Sequence, residues 1–161
     1  MKRLFFILLF FSLLFHPACA RRYGILDYQS KSIVAECVVN DKFKVEITKT
    51  EKECKIQVKA PENVKGIEFL VGEGVSLRVG DMVVQMNKDS LKGICALGGV
   101  FSQREELLIS AVQRGEESEL TFKQGECTYI LTVGKNSLPK RAVIVSQDFE
   151  YTVEILGMEI K

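Results

Sequence analysis

The stretch Ile33–Ala60, IVAECVVNDKFKVEITKTEKECKIQVKA, decides the fold. Ile33, Ala35, Cys37 and Val39 occupy alternate positions. After Asn40-Asp41 the same period resumes as Phe43, Val45 and Ile47 against Lys44, Glu46 and Thr48. After Thr50-Glu51-Lys52-Glu53 it resumes again as Cys54, Ile56, Val58 and Ala60 against Lys55, Gln57 and Lys59. A period of two held through three runs, each separated by a short polar turn, marks strands with one buried and one wet face. The expectation is an antiparallel meander that halts at Pro61, with the charged run Lys49-Thr50-Glu51-Lys52-Glu53 as a solvated turn.

Further along, shorter runs are punctuated by glycine. Ile67, Phe69 and Val71 precede Gly72-Glu73-Gly74; Val75, Leu77 and Val79 precede Gly80-Asp81; Met82, Val84 and Met86 precede Asn87. Each break reads as a hairpin turn. Ser90 to Leu97 reads as a short helix ended by Gly98-Gly99. Ser102-Gln103-Arg104-Glu105 is a capping-box sequence, so a second helix is expected after it, with Leu107, Leu108, Ala111 and Val112 as its apolar face and Gly115 as its stop. Strands then return around Leu120 and Phe122; Tyr129, Leu131 and Val133; Val143 and Val145; and Tyr151, Val153 and Ile155. The expected fold is mainly β (α+β): about ten antiparallel strands in one curved sheet or half-open β-barrel, with one or two helices on its concave face, because a flat sheet of that width tends to curl. A short helix near Ile25 to Ser30 is expected at one end.

Working back from Ile33, residues 1–20 (MKRLFFILLFFSLLFHPACA) have a basic start, an apolar run from Leu4 to Phe15 and the small-residue exit Ala18-Cys19-Ala20. That is the layout of a bacterial export signal, and the apolar run is too short for the roughly twenty residues of a spanning helix. Two outcomes stay open: cleavage before Arg21 with release, or lipidation at Cys19, which would make a lipid anchor the chain's one attachment to a membrane. Either way the protein is expected to be exported, with residues 21–161 as a single domain. The remaining cysteines, Cys37, Cys54, Cys95 and Cys127, form an even set in an exported chain and are candidates for disulfides. The alternative is free thiols packed as small hydrophobes, Cys37 and Cys54 being on the apolar registers of their strands.

The 161 residues carry 22 Lys and Arg against 21 Asp and Glu, interleaved throughout, so no basic face for nucleic acid is expected. The single histidine is His16, inside the export signal. Beyond it the chain has no imidazole for a nucleophile system or a histidine-bearing metal site, and no metal or cofactor is expected. Three carboxylate groups are candidates for acid/base work: Glu105 with Glu106; Glu116 with Glu117 and Glu119; and Asp148 with Glu150. Each falls at an expected helix start or in a polar turn, where surface charge is the simpler account, so no enzyme activity is expected.

What remains to be explained is the apolar face. Phe43, Val45, Ile56, Val58, Phe69, Leu77, Met82, Met86, Phe122, Tyr129 and Leu131 are all expected on the concave side of the sheet. They form either a filled core beneath the helix or, where one helix cannot cover so wide a sheet, an apolar groove for an acyl chain or a partner's hydrophobic segment. Met82 and Met86 would suit a site that adapts to varied shapes.

Two segments, Ala60-Pro61-Glu62-Asn63-Val64-Lys65-Gly66-Ile67-Glu68-Phe69 and Tyr129–Arg141 with its Tyr-x-Leu-x-x-x-x-Asn-x-x-Pro run, resemble the LolA/LolB lipoprotein-carrier superfamily. The chain is more similar to the small exported LolA-like proteins of Gram-positive bacteria, among them a spore-germination lipoprotein that pairs with a cell-wall amidase. The resemblance implies a half-open antiparallel barrel with helices at its mouth that binds a lipid or an acylated protein and performs no chemistry. The alternative function is a protein-interaction module that self-associates or supports an envelope enzyme.

Overall fold

A computed structural model of the chain describes residues 31–161. The expected export signal, Cys19 and the short helix expected near Ile25 to Ser30 lie outside the described residues. Eleven strands form one antiparallel sheet: β1 (Ile33–Val39), β2 (Phe43–Lys49), β3 (Cys54–Ala60), β4 (Glu68–Val71), β5 (Val75–Val79), β6 (Met82–Met86), β7 (Leu108–Arg114), β8 (Glu117–Gln124), β9 (Cys127–Val133), β10 (Pro139–Val145) and β11 (Glu150–Ile160). Their spatial order is β6-β5-β4-β3-β2-β1-β11-β10-β9-β8-β7. Two meanders are thus joined at the centre, where β1 lies beside β11, and the edges are β6 and β7.

The chain crosses from one edge to the other through a helical insert. A 3₁₀ turn (Lys88–Leu91) leads into helix α1 (Lys92–Gly98), and two more 3₁₀ turns follow, Val100–Ser102 and Glu105–Leu107. α1 confirms the short helix expected at Ser90–Leu97.

The second expected helix does not form. Leu108–Arg114 is an edge strand paired with β8, and Gly115, with φ +63°, turns a hairpin in which Arg114 faces Glu117. The physical reason lies at Ser102 and Gln103. The N–H of Ser102 donates to the Gly99 carbonyl within a 3₁₀ turn, and Gln103 is extended and buried, so the capping-box residues are spent closing the preceding segment. A second departure is Lys49. Expected in a solvated turn, it ends β2 on the inward register opposite Ile33 and Cys54 and is only 6% exposed.

The curvature follows from what α1 touches. A Cβ on Gly98 would stand 3.6 Å from the Cys54 side chain in β3 and 3.7 Å from Val71 Cβ in β4, while one on the next residue, Gly99, would meet the Tyr129 ring of β9 at 3.2 Å. β4 and β9 are six strand spacings apart, about 29 Å in a flat sheet at ~4.8 Å per strand. Two consecutive residues can reach both only if the sheet wraps around them. The inward face is the core: Ile33, Ile47, Leu120, Phe122, Leu131 and Ile144 are buried, and Ala96, Leu97, Val100 and Phe101 of the insert close it from above.

Candidate ligand-binding site

Strand register places all eleven predicted residues on one face. Val45 pairs with Val58, Ile56 with Phe69, Phe69 with Leu77, Val75 with Met86, Val79 with Met82, and Phe122 with Tyr129; Leu131 pairs with Leu120 on the same side. Phe43 sits opposite the inward Val39. The face has three parts with different packing.

Phe122, Tyr129 and Leu131 are filled core under the insert, at most 3% exposed. Tyr129 is also a tie: its hydroxyl donates to the Ala96 carbonyl of α1 at 3.1 Å. Burial, with Cys127 and Cys95 close by, holds this phenol well above the ordinary tyrosine range.

Phe43, Val45, Ile56, Val58 and Phe69 instead line a cavity of about 260 Å³ at the end of the barrel marked by Val39 and Asn40. Its other walls are Val64 and Ile67 from the β3–β4 connection, Ile94 and Leu97 from α1, and Tyr151 from β11; no charged side chain lines it. Two glycines of the insert set how closely it can approach. A Cβ on Gly93 would collide with the Tyr151 hydroxyl, so glycine there lets the first turn of α1 lie on that ring. From outside, Lys92 pins the same turn, with its ammonium 3.3 Å from Glu126 and 3.6 Å from Asp148. Its hydrogen bond to Glu126 and the two carboxylate charges raise the Lys92 pKa above its ordinary value.

Leu77, Met82 and Met86 belong to the third part, the most open of the three among the described residues: Leu77 and Met86 are half-buried and Met82 is exposed. From Phe69 outward the face passes through the half-buried Leu77 to Val79, Val84 and Met82, of which Met82 is 60% exposed. This apolar ramp begins at the cavity wall and ends at the open edge of the sheet.

The register of the strands sufficed to find five of the seven wall residues they supply. Val39, on the same register as Phe43, was within reach of that reasoning. Ile94, Leu97 and Tyr151 were not, because the helix and the far strand meet this end of the sheet only through the fold.

Two other hollows have different chemistry. One of about 570 Å³ at the opposite end is lined by Lys49, Lys52 and Arg104 together with Glu51, Glu53 and Glu106. Ionised groups of both signs make it a solvated basin, so the smaller apolar cavity is the better candidate. A cleft of about 320 Å³ runs between α1 and the β8–β9 turn and carries Cys95 and Cys127. All four candidate disulfide cysteines stand as free thiols, Cys37 and Cys54 buried and Cys95 and Cys127 half-buried.

Five of the seven candidate acid/base carboxylates are matched to cations. Glu116 pairs with Lys135, Glu117 with Lys140 at 2.8 Å, Glu119 with Arg114 at 3.5 Å, Asp148 with Lys92, and Glu106 with Arg104 at 3.6 Å. Among the described residues no group of three or more His, Cys, Asp or Glu could hold a metal ion, and no helix is long and apolar enough to cross a membrane.

No family model and no curated protein matches the chain. Solved structures do. An uncharacterised conserved protein from Thermus thermophilus aligns at a TM-score of 0.53 and 13% identity, over 86% of this chain and 84% of that one. A LolA superfamily protein from Nitrosomonas europaea aligns at 0.45 and 9% identity, over 86% and 90%. A protein domain from Vibrio parahaemolyticus assigned to outer-membrane lipoprotein sorting aligns at 0.44 and 8% identity, over 87% and 89%. At such identities what is shared is architecture, and this chain has the fold of the Thermus protein, a single curved antiparallel sheet.

Proposed function

We propose that the protein binds a single alkyl chain, as part of a lipid or an acylated protein, on its concave face, and that it acts outside the cytoplasm as a non-enzymatic carrier or sensor. The observation that carries this reading is the uncharged cavity with the apolar ramp beside it, joined where the wall residue Phe69 pairs with Leu77. At about 260 Å³ the cavity falls just under the roughly 300–1,000 Å³ common for pockets that enclose a drug-sized ligand. It would take one end of a chain and leave the remainder along Leu77, Val84 and Met82. Such burial is worth about 0.8 kcal/mol per methylene removed from water, enough for useful affinity over a short length. The resemblance of Ala60–Phe69 and Tyr129–Arg141 to lipoprotein carriers and the export-type N-terminus support the same reading.

The test is mass spectrometry of the chain expressed with export and purified without detergent, comparing native with denaturing spectra. A stoichiometric lipid lost on denaturation is expected in the parent and absent from Phe69→Glu. Phe69 is half-buried in the cavity wall, so this variant should still fold, whereas Leu131, 0% exposed in the filled core, would report only on packing. A ligand-free parent that also fails to take up a fluorescent fatty acid would overturn the reading.

A further inference from the structure

Among the described residues the sheet has two free edges, and they are built differently. β7 carries a register shift between Leu108 and Ser110 and ends in Arg114, and the side chain of Gln113 is held inside its own hairpin by Ser118 and the Gly115 carbonyl. Bulges and charges of this kind blunt an edge against other strands. β6, Met82-Val83-Val84-Gln85-Met86, has no charge, no proline and no register shift against β5. Met82, Val83 and Val84 are 60, 50 and 39% exposed.

We propose that β6 is a pairing edge for a second copy of this chain, the two β6 strands meeting antiparallel with Val84 opposite Val84. The hydrogen-bond parity comes from the hairpin. Val79 and Met82 close the two-residue turn Gly80-Asp81, so Met82, Val84 and Met86 bond inward to β5, while the backbone groups of Val83 and Gln85 point away from the sheet. With Val84 on the two-fold axis, Val83 of each copy faces Gln85 of the other, so outward groups meet outward groups at both positions. A shift of one residue would set inward-bonded groups against outward ones, and a shift of two would leave residues of each strand unpaired. The same register puts Met82 opposite Met86 on the concave side.

Charge supports the choice of occupant. Asp81 precedes the strand and Lys88 follows it, so antiparallel copies bring Asp81 of one beside Lys88 of the other at each end. The joined sheets would share one apolar strip, the ramp of one copy running into that of the next. This pairing does not depend on what the cavity holds. Five residues a side is a small contact, so a reversible dimer is expected.

Val84→Cys tests the register directly, since residues facing across a non-hydrogen-bonded position lie about 4.5 Å apart at Cα. The full-length chain, expressed with export and with Cys95 and Cys127 replaced by serine, would be treated with diamide and run on a non-reducing gel. Val84→Cys should cross-link nearly completely and Ile109→Cys, on the other edge, hardly at all. In sedimentation equilibrium the parent should dimerise as its concentration rises, and Val83→Pro, which removes an outward N–H but no bond to β5, should stay monomeric with an unchanged circular dichroism spectrum. A parent that is monomeric at its highest soluble concentration, including one that binds only some other polypeptide, would overturn the proposal. So would equal cross-linking at Ile109, or a dimer indifferent to Val83→Pro.

Discussion

Cys37 and Cys54 show at the scale of single residues what the wrapped sheet does to chemistry. Burial is the main cause that pushes both thiols up from 9.0 to about 12, so the thiolate, which is the reactive form, is scarce in the folded protein. An acid raised in the folded state keeps its proton where the unfolded chain has released it. Above about pH 9 the unfolded state therefore binds fewer protons, and stability must fall as pH rises toward 12. Tyr129, raised mainly by burial, acts with the same sign; Lys49, whose ammonium burial lowers, acts with the opposite one. Cys95 and Lys92, both raised, act with the sign of the thiols as well, so five groups stand against one, and the urea midpoint is expected to drop steadily above pH 9, less so in the double variant Cys37→Ala, Cys54→Ala. A parent midpoint that stays level through that range would show that the thiols are not held as described.

The helical insert is the element on which the rest depends, and its docking is set by backbone proximity. A Cβ at Gly99 would come within 2.6 Å of the Tyr129 hydroxyl, while Gly99 itself has ordinary helical dihedrals (φ −75°), so Gly99→Ala is a clash without backbone strain. We expect Gly99→Ala to cost about 1–3 kcal/mol in denaturant unfolding and Tyr129→Phe, which loses one buried hydrogen bond, about 1 kcal/mol. The double variant should cost less than the sum, because removing the hydroxyl removes part of the clash; strict additivity would deny the contact. This contact was not legible in the sequence, where Gly98-Gly99 read only as a helix stop. Nor was β7 legible. A strand shows a period of two when one face is buried, and β7 is exposed along most of both faces, so Leu107, Leu108, Ala111 and Val112 offered a helical spacing with nothing to contradict it. Where burial was one-sided, as in Ile33–Val58, the alternation identified both the strands and their inward residues.

Across the whole molecule, stability should grade from the joined centre to the bare edge. β1 pairs along its length with neighbours on both sides and β11 is paired throughout, with β10 at Glu150–Glu154 and with β1 at Val153–Ile160, whereas β6 has one neighbour and exposed side chains. Amide exchange measured at a dilution where the chain is monomeric should be slowest in β1, β2, β10 and β11 and fastest in β5 and β6. Protection of β6 equal to that of β1 would contradict this gradient. The candidate site follows the same division of legibility: its strand residues could be read from local alternation, but the cavity exists only because β11 and α1 arrive from far along the chain. That long reach also governs how the protein is made. Asn40, at the start of the first hairpin turn, accepts a side-chain hydrogen bond from the N–H of Thr152, 112 residues away. As the chain emerges during synthesis, β1 is ready first and must wait with one side open until almost everything else has been translated. Folding can therefore finish only late, at the slow rate that such distant contacts impose. A chaperone that shields the waiting flank of β1 would be of most use in that interval.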